Sequence, residues 1–322
     1  MRRIPVQSRE LPTRRDFLGA CAASIATMAL PAVGLAAERD ADAVLLTRPI
    51  PSTGERLPVI GLGTNAYGVT DPADIASRQA VVARLLELGA KVIDTARAYG
   101  DSELVIGRIL ADLKARDRVF LATKTPMDGP LTDPAAIVAE TFRRLGTDTV
   151  DLLQIHNMHG VEELMPTFRK LKEDGSVRYL GATTSRDEQY AALLAAMRAH
   201  PLDFVQVDYS IANRNAAAEV LPLAADRGIG VLVNMPFGGR RDGNLLRKLG
   251  ERPLPPWAEE IGAGSWAEVL LKYVVSHPAI TCAIPGTTSV RNVETNLRAA
   301  QGPLPDAAMR RRMEDYWDAL EA

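Results

Sequence analysis

From residue 59 onward the chain alternates two patterns. Apolar runs at Val59 to Leu62, Lys91 to Asp94, Val119 to Thr123, Val150 to Ile155, Val177 to Ala182, Phe204 to Val207, Gly230 to Val233 and Ile280 to Ile284 have the length and character of buried strands. Between them apolar residues recur at spacings of three and four, as in Val81, Leu85 and Leu88 or Leu164, Phe168 and Leu171. That is the period of a helix packing one face. Most strand starts fall about 25 to 30 residues apart, enough for a parallel strand–helix–strand crossover. Eight such units predict an α/β chain closed as a (β/α)8 TIM barrel rather than an open sheet. Val44 to Leu57, with Ser52-Thr53-Gly54 at its middle, predicts an N-terminal β-hairpin closing the barrel's bottom. The longest gap, from Met235 to the last strand, contains Gly238-Gly239-Arg240 and Pro253-Leu254-Pro255-Pro256 and predicts an irregular loop over the active face.

The N-terminus has a different character. Arg14 and Arg15, followed by Asp16-Phe17-Leu18, precede an apolar run from Ala20 to Leu35 that is too short and interrupted to span a bilayer stably. The run ends in small residues, so cleavage is expected after Ala36 or Ala37, with Ala41 to Ala43 as a second site. The arginine pair with Phe17 and Leu18 resembles the twin-arginine export signal, which implies a folded passenger and a bacterial periplasmic destination. The expected organisation is therefore a cleaved signal over residues 1–37 and one barrel domain over 38–322, with the twin-arginine machinery as a partner and no stable membrane anchor. Leu18-Gly19-Ala20-Cys21 resembles a lipoprotein box, but the apolar run follows Cys21 instead of preceding it.

Charge removes one class of partner. Lys plus Arg (38) nearly balances Asp plus Glu (40), so there is no global basic field for a nucleic acid. The two cysteines, Cys21 and Cys282, cannot build a disulfide framework. No Gly-x-Gly-x-x-Gly follows a strand, because Ala66 holds the third glycine's place after Gly61-Leu62-Gly63. A nucleotide would then lie across the C-terminal mouth of the barrel, where functional residues of this architecture gather.

The expected strand ends carry Asp94, then Tyr99 in the following loop, Lys124, and His156. Singly, each has a plain structural explanation: a helix cap, packing, a solvated cation, a core histidine. Together they suit one reaction. A carbonyl accepting a hydride develops alkoxide charge and needs an acid beside it. Tyr99 can supply that proton, and a neighbouring ammonium such as Lys124 favours a phenolate. Asp94 would hold Lys124 cationic, and His156 would fix the substrate oxygen. His159, three residues after His156, has no carboxylate or cysteine cluster beside it, so no metal site is expected.

Asp94-Thr95-Ala96, Tyr99-Gly100-Asp101-Ser102-Glu103, Lys124 and His156 closely resemble the signature of the aldo-keto reductases, over roughly Arg56 to Leu297. The resemblance implies metal-free hydride transfer from a nicotinamide to a small-molecule carbonyl substrate, an aldehyde or ketone, with Asp94, Tyr99, Lys124 and His156 as the catalytic tetrad. Its cofactor segments resemble Gly181-Ala182-Thr183-Thr184-Ser185, Val205-Gln206-Val207-Asp208-Tyr209 and Ile284-Pro285-Gly286-Thr287-Thr288 with Asn296 downstream. The implied cofactor-binding residues are Gly63, Thr64, Asp94, Thr183, Thr184, Gln206, Pro236, Gly238, Pro285, Gly286, Thr287, Thr288 and Asn296. NADPH is the expected cofactor and NADH the alternative, because Asn292 stands where the family often has a phosphate-binding arginine, with Arg291 adjacent. Thr184 replaces an asparagine that often meets the carboxamide, and Asn234 an aromatic that often stacks on nicotinamide. Trp257 and Trp266 either line the substrate loop or pack between helices. Two other functions keep the fold: a nicotinamide-binding sensor with little turnover, and a non-redox isomerase or lyase using Asp94 and Lys124 as acid and base.

Overall fold

The computed structural model describes residues 44–239 and 243–321. The arginine pair, the apolar run, the expected cleavage sites and Arg240 lie outside the described residues. The hairpin comes first. β1 (Thr47–Pro49) pairs antiparallel with β2 (Arg56–Pro58), and Gly54 supplies a φ of 78° at the turn, a conformation that costs glycine little.

Eight parallel strands follow: β3 (Leu62–Gly63), β4 (Val92–Asp94), β5 (Phe120–Lys124), β6 (Val150–Ile155), β7 (Val177–Thr183), β8 (Phe204–Val207), β9 (Gly230–Val233) and β10 (Cys282–Ala283). They pair in chain order from β3 to β10. The ring closes where the first meets the last: Gly61 N donates to the Ala283 carbonyl at 2.8 Å, Ala283 N to Val59 at 2.9 Å and Gly63 N to Pro285 at 3.2 Å. A Cβ on Gly63 would sit 2.7 Å from the Ile284 carbonyl oxygen, so this approach requires glycine. The runs expected over Val59 to Leu62 and Ile280 to Ile284 therefore form regular ladder only at Leu62–Gly63 and Cys282–Ala283. Pro285 has no N–H to give to the Gly61 carbonyl, and Val59 N turns to the Leu46 carbonyl of the hairpin at 3.0 Å, so the seam stays at single bridges.

The crossover helices are α1 (Pro72–Glu87), α2 (Ser102–Asp112), α3 (Pro134–Leu145), α4 (Val161–Glu173), α5 (Tyr190–Ala199), α6 (Val220–Asp226), the short α7 (Leu245–Leu249) within the long loop, and α8 (Trp266–Ser276); α9 (Val290–Arg298) and α10 (Ala307–Glu321) follow β10. Local signals set their starts. Asp71 caps α1 by accepting from Ala73 N and Asp74 N ahead of Pro72 at the first turn, and Asp133 with Pro134 repeats the device at α3. Val81, Val82 and Leu85 turn inward from α1, and Leu164, Met165 and Phe168 from α4, the faces that the spacing predicts. Inside the ring Val92, Phe120, Leu152, Tyr179, Phe204 and Leu232 pack together, and Ile50 and Leu57 of the hairpin join them. The hairpin thus plugs the bottom and leaves the opposite end open for polar groups. Trp257 and Trp266 both pack on Tyr316 of α10, with ring centroids 5.7 and 6.1 Å away. Helix packing is the role the structure gives them.

Candidate active site

Asp94 ends β4, Lys124 ends β5, His156 follows β6, and Tyr99 lies in the loop after β4, so the four meet at the open mouth. Lys124 is fully buried and Asp94 is 2% exposed. A buried ion pair is tolerated only when its remaining donors and acceptors are also met. Lys124 Nζ donates to Asp94 Oδ2, to the Thr95 carbonyl at 2.9 Å and to the Tyr99 hydroxyl at 3.3 Å, which uses its three N–H bonds. Asp94 Oδ1 accepts from the side-chain amides of Gln206 at 2.8 Å and Gln154 at 3.2 Å. Burial pulls the Lys124 ammonium down, but the Asp94 carboxylate and the Tyr99 oxygen outweigh it and hold it above the ordinary lysine value. A fixed positive charge therefore stands beside the phenol oxygen.

His156 meets Tyr99 edge to face, with ring centroids 6.0 Å apart and planes at 87°. Burial, and then the charge of Lys124, pushes its imidazole down to about 3. It is neutral near pH 7 and has one ring N–H to offer. Its Nδ1 is buried with no hydrogen-bond partner among the described residues. The His156 resonances are accordingly expected to stay flat in a proton-detected titration from pH 8 to about 4.5. A midpoint near 6.5 would show that Lys124 and burial do not act on this ring. An unfolded chain takes up this proton at pH about 6.5, whereas the folded chain waits until about 3. This histidine therefore weakens the fold as the pH falls through that interval.

The Tyr99 loop is braced from behind. Glu103 is fully buried, accepts from Thr123 Oγ1 at 2.8 Å, and ion-pairs with Arg97 and Arg144, each at 3.1 Å. Arg144 also donates to the Gly100 carbonyl at 2.6 Å, one residue beyond Tyr99. On the facing side a Cβ on Gly68 would sit 2.3 Å from the Tyr99 carbonyl oxygen, so the loop packs against bare backbone. Ser102 ties Thr64 and Thr95 together through its hydroxyl, at 3.1 and 2.9 Å.

The mouth holds a cavity of about 580 Å³, in the range of small-molecule sites. Tyr99, His156 and Asp94 line it, together with Gly63, Thr64, Thr183 and Gln206 from the strand ends and Pro236, Gly238, Pro285 and Gly286 from the last two loops. Lys124 lies beneath. A Cβ on Gly286 would meet Asn65 Oδ1 at 2.6 Å, so Gly286 keeps part of the space open. Thr184 is not brought to the cavity. It is fully buried, and its hydroxyl donates to Gln189 Oε1 at 2.6 Å and accepts from Arg186 N at 3.0 Å. Thr287 and Thr288 stand just before α9, Asn296 is buried on that helix, and none of the three lines the cavity. The long loop does reach the mouth, through Met235, Phe237 and Gly239. Sequence reasoning missed Phe237, Asn65, Asn157 and Arg186; their only signal was a place in the loops after the strands. Asn234, noted only as a departure, lines the wall with a buried, unpartnered Oδ1. Among the described residues no three His, Cys, Asp or Glu side chains gather as for a metal, and His159 Nε2 lies 3.0 Å from the Gly129 carbonyl.

A ring closed at β3 and β10, with a lysine, carboxylate, tyrosine and histidine at its mouth, defines a barrel built for proton transfer at a small ligand. The sequence profile of the aldo/keto reductase family matches residues 59–314. The chain belongs to that family. It is 33% identical over 218 residues to the aldo-keto reductase YhdN of Bacillus subtilis, covering 63% of this chain and 64% of YhdN. It is 29% identical over 263 residues to the methylglyoxal reductase YeaE of Escherichia coli, covering 79% of this chain and 89% of that protein. An aldo-keto reductase from Klebsiella pneumoniae, solved in complex with NADPH, is similar in structure, with a TM-score of 0.70 at 25% identity over 85% of this chain and 95% of that one.

Proposed function

We propose that this chain is an exported reductase that passes a hydride from NADPH to an aldehyde or ketone, with Tyr99 as the proton donor. The observation that carries the reading is the buried Lys124 ammonium, held by Asp94 and set 3.3 Å from a tyrosine hydroxyl that lines the cavity beside His156. The wall fits a nicotinamide nucleotide. The unpartnered Asn234 Oδ1, with Gln206 and Thr183, suits a carboxamide. Gly63 and Gly286 leave room at the seam, and Thr287, Thr288 and the amide end of α9 suit a phosphate, with Arg291 exposed in the first turn. When bound, NADPH supplies the hydride. The Tyr99 O–H gives its proton to the oxygen of the reacting carbonyl, and Lys124 stabilises the phenolate that remains. The neutral His156 ring N–H holds that oxygen in reach. Asp94 keeps Lys124 in line without itself touching substrate. Calorimetric titration with NADPH and NADH, followed by nicotinamide absorbance on adding small aldehydes, tests this: aldehyde-dependent oxidation is expected, and nucleotide binding without turnover would favour a sensor.

Export rests on Arg14, Arg15 and the apolar run that follows. On this reading the twin-arginine machinery carries the folded chain to the periplasm and residues 1–37 are removed. Replacing Arg14→Lys together with Arg15→Lys is expected to keep the protein in the cytoplasm with its signal uncut. Recovery of that double variant from the periplasm at the normal level would reject the route.

A further inference from the structure

Arg186 is the one charged side chain in the described cavity wall whose charge is not already answered. The other, Asp94, is held by Lys124. The Arg186 backbone is fixed: its N–H donates to Thr184 Oγ1 at 3.0 Å, and the Thr184 hydroxyl lies 3.2 Å from the Arg186 carbonyl oxygen. Thr184 also donates to Gln189 Oε1 at 2.6 Å, and Gln189 donates onward to the Asn157 carbonyl at 2.9 Å. The arginine is thus braced to the residue that follows His156. Nearby carboxylates have other partners. Asp187 accepts from Asn213 at 3.2 Å and Asn215 at 2.6 Å, and Asp208 from Asn213 at 3.2 Å. Glu188, two residues on, is exposed and lines a neighbouring depression instead of the cavity. The guanidinium makes no ion pair among the described residues, and Arg186, exposed, borders both the cavity and that neighbouring depression.

We propose that Arg186 recognises an anionic group on the substrate, so that the preferred carbonyl compounds carry a carboxylate or phosphate at the end away from the reacting carbon. The inference rests on the reductase reading above. A guanidinium with five donors in a planar fork suits either oxyanion. A phosphate of the cofactor is the other source of that chemistry, but α9 follows β10, whereas Arg186 follows β7, three strands round the ring. The substrate side of the mouth is therefore the assignment.

Two readouts separate the outcomes. In the first, kcat/KM is measured for 4-carboxybenzaldehyde and 4-methylbenzaldehyde with wild type and Arg186→Met. The ratio in favour of the carboxylate is expected to fall about tenfold in the variant, the scale of one charge-assisted hydrogen bond. An unchanged ratio overturns the proposal. So does an NADPH dissociation constant that rises tenfold in the variant, which would give Arg186 to the cofactor. In the second, 4-(hydroxymethyl)benzoate is titrated calorimetrically into both proteins. Binding about tenfold weaker in the variant supports the site even where no aldehyde turns over, and equal binding rejects it. Failure of turnover with both aldehydes in wild type is a separate result, against the reductase reading alone.

Discussion

Tyr99→Phe is expected to lower kcat for aldehyde reduction by a factor of about 10² to 10⁴, the range for a positioned general acid, with the NADPH dissociation constant unchanged. Phenylalanine keeps the ring that meets His156 edge to face and lies 5.0 Å from Lys124 Nζ. The substitution therefore removes one oxygen and little packing. Lys124 loses one of its three acceptors, and a buried donor left unmet costs about 1 to 3 kcal/mol. A thermal melt should show a small decrease beside the large kinetic loss. Full activity in Tyr99→Phe would mean the proton comes from another group. Residual turnover that disappears in Tyr99→Phe with His156→Ala would identify that group, because the neutral imidazole still carries one N–H.

The barrel was legible because its strands are buried on both faces, which makes them read as separate apolar runs, and because helix spacing fills the intervals. That Asp94, Tyr99, Lys124 and His156 would gather at the mouth was legible for a different reason: an acid that must leave a phenolate needs a cation, and that cation needs a carboxylate. Orientation was the part that sequence did not carry. Thr184 occupies the expected place after β7, yet its hydroxyl turns inward because Gln189, five residues on, offers a better acceptor. Gln206, expected to meet the cofactor, also holds Asp94 at 2.8 Å, since a strand-end amide serves whichever acceptor the neighbouring strands present. Trp257 and Trp266 carried no sign of their partner, Tyr316, which lies on the last helix. Half of the Glu103 brace comes from Arg144, 41 residues away, and that ion pair exists only once α2 and α3 lie side by side.

Lys124→Met should separate what the buried ion pair does for chemistry from what it does for the fold. Methionine fills most of the lysine's length without its charge. Asp94, 2% exposed, would then keep its carboxylate in the barrel with only the amides of Gln154 and Gln206 to answer it. Removing one partner of a buried pair typically costs about 3 to 5 kcal/mol, so denaturant unfolding should shift by an amount in that range. The phenolate left by Tyr99 would also lose its counter-charge, and kcat should fall at least as far as in Tyr99→Phe. Adding Asp94→Asn removes the stranded charge, and an asparagine oxygen can still accept from both glutamines. The double variant is expected to regain part of the lost stability and none of the lost activity. If the double variant instead regained turnover, the ammonium would not be what supports the proton donor, and Lys124 would be serving the fold alone. If the single variant unfolded like wild type, Asp94 would not be carrying a charge that needs Lys124.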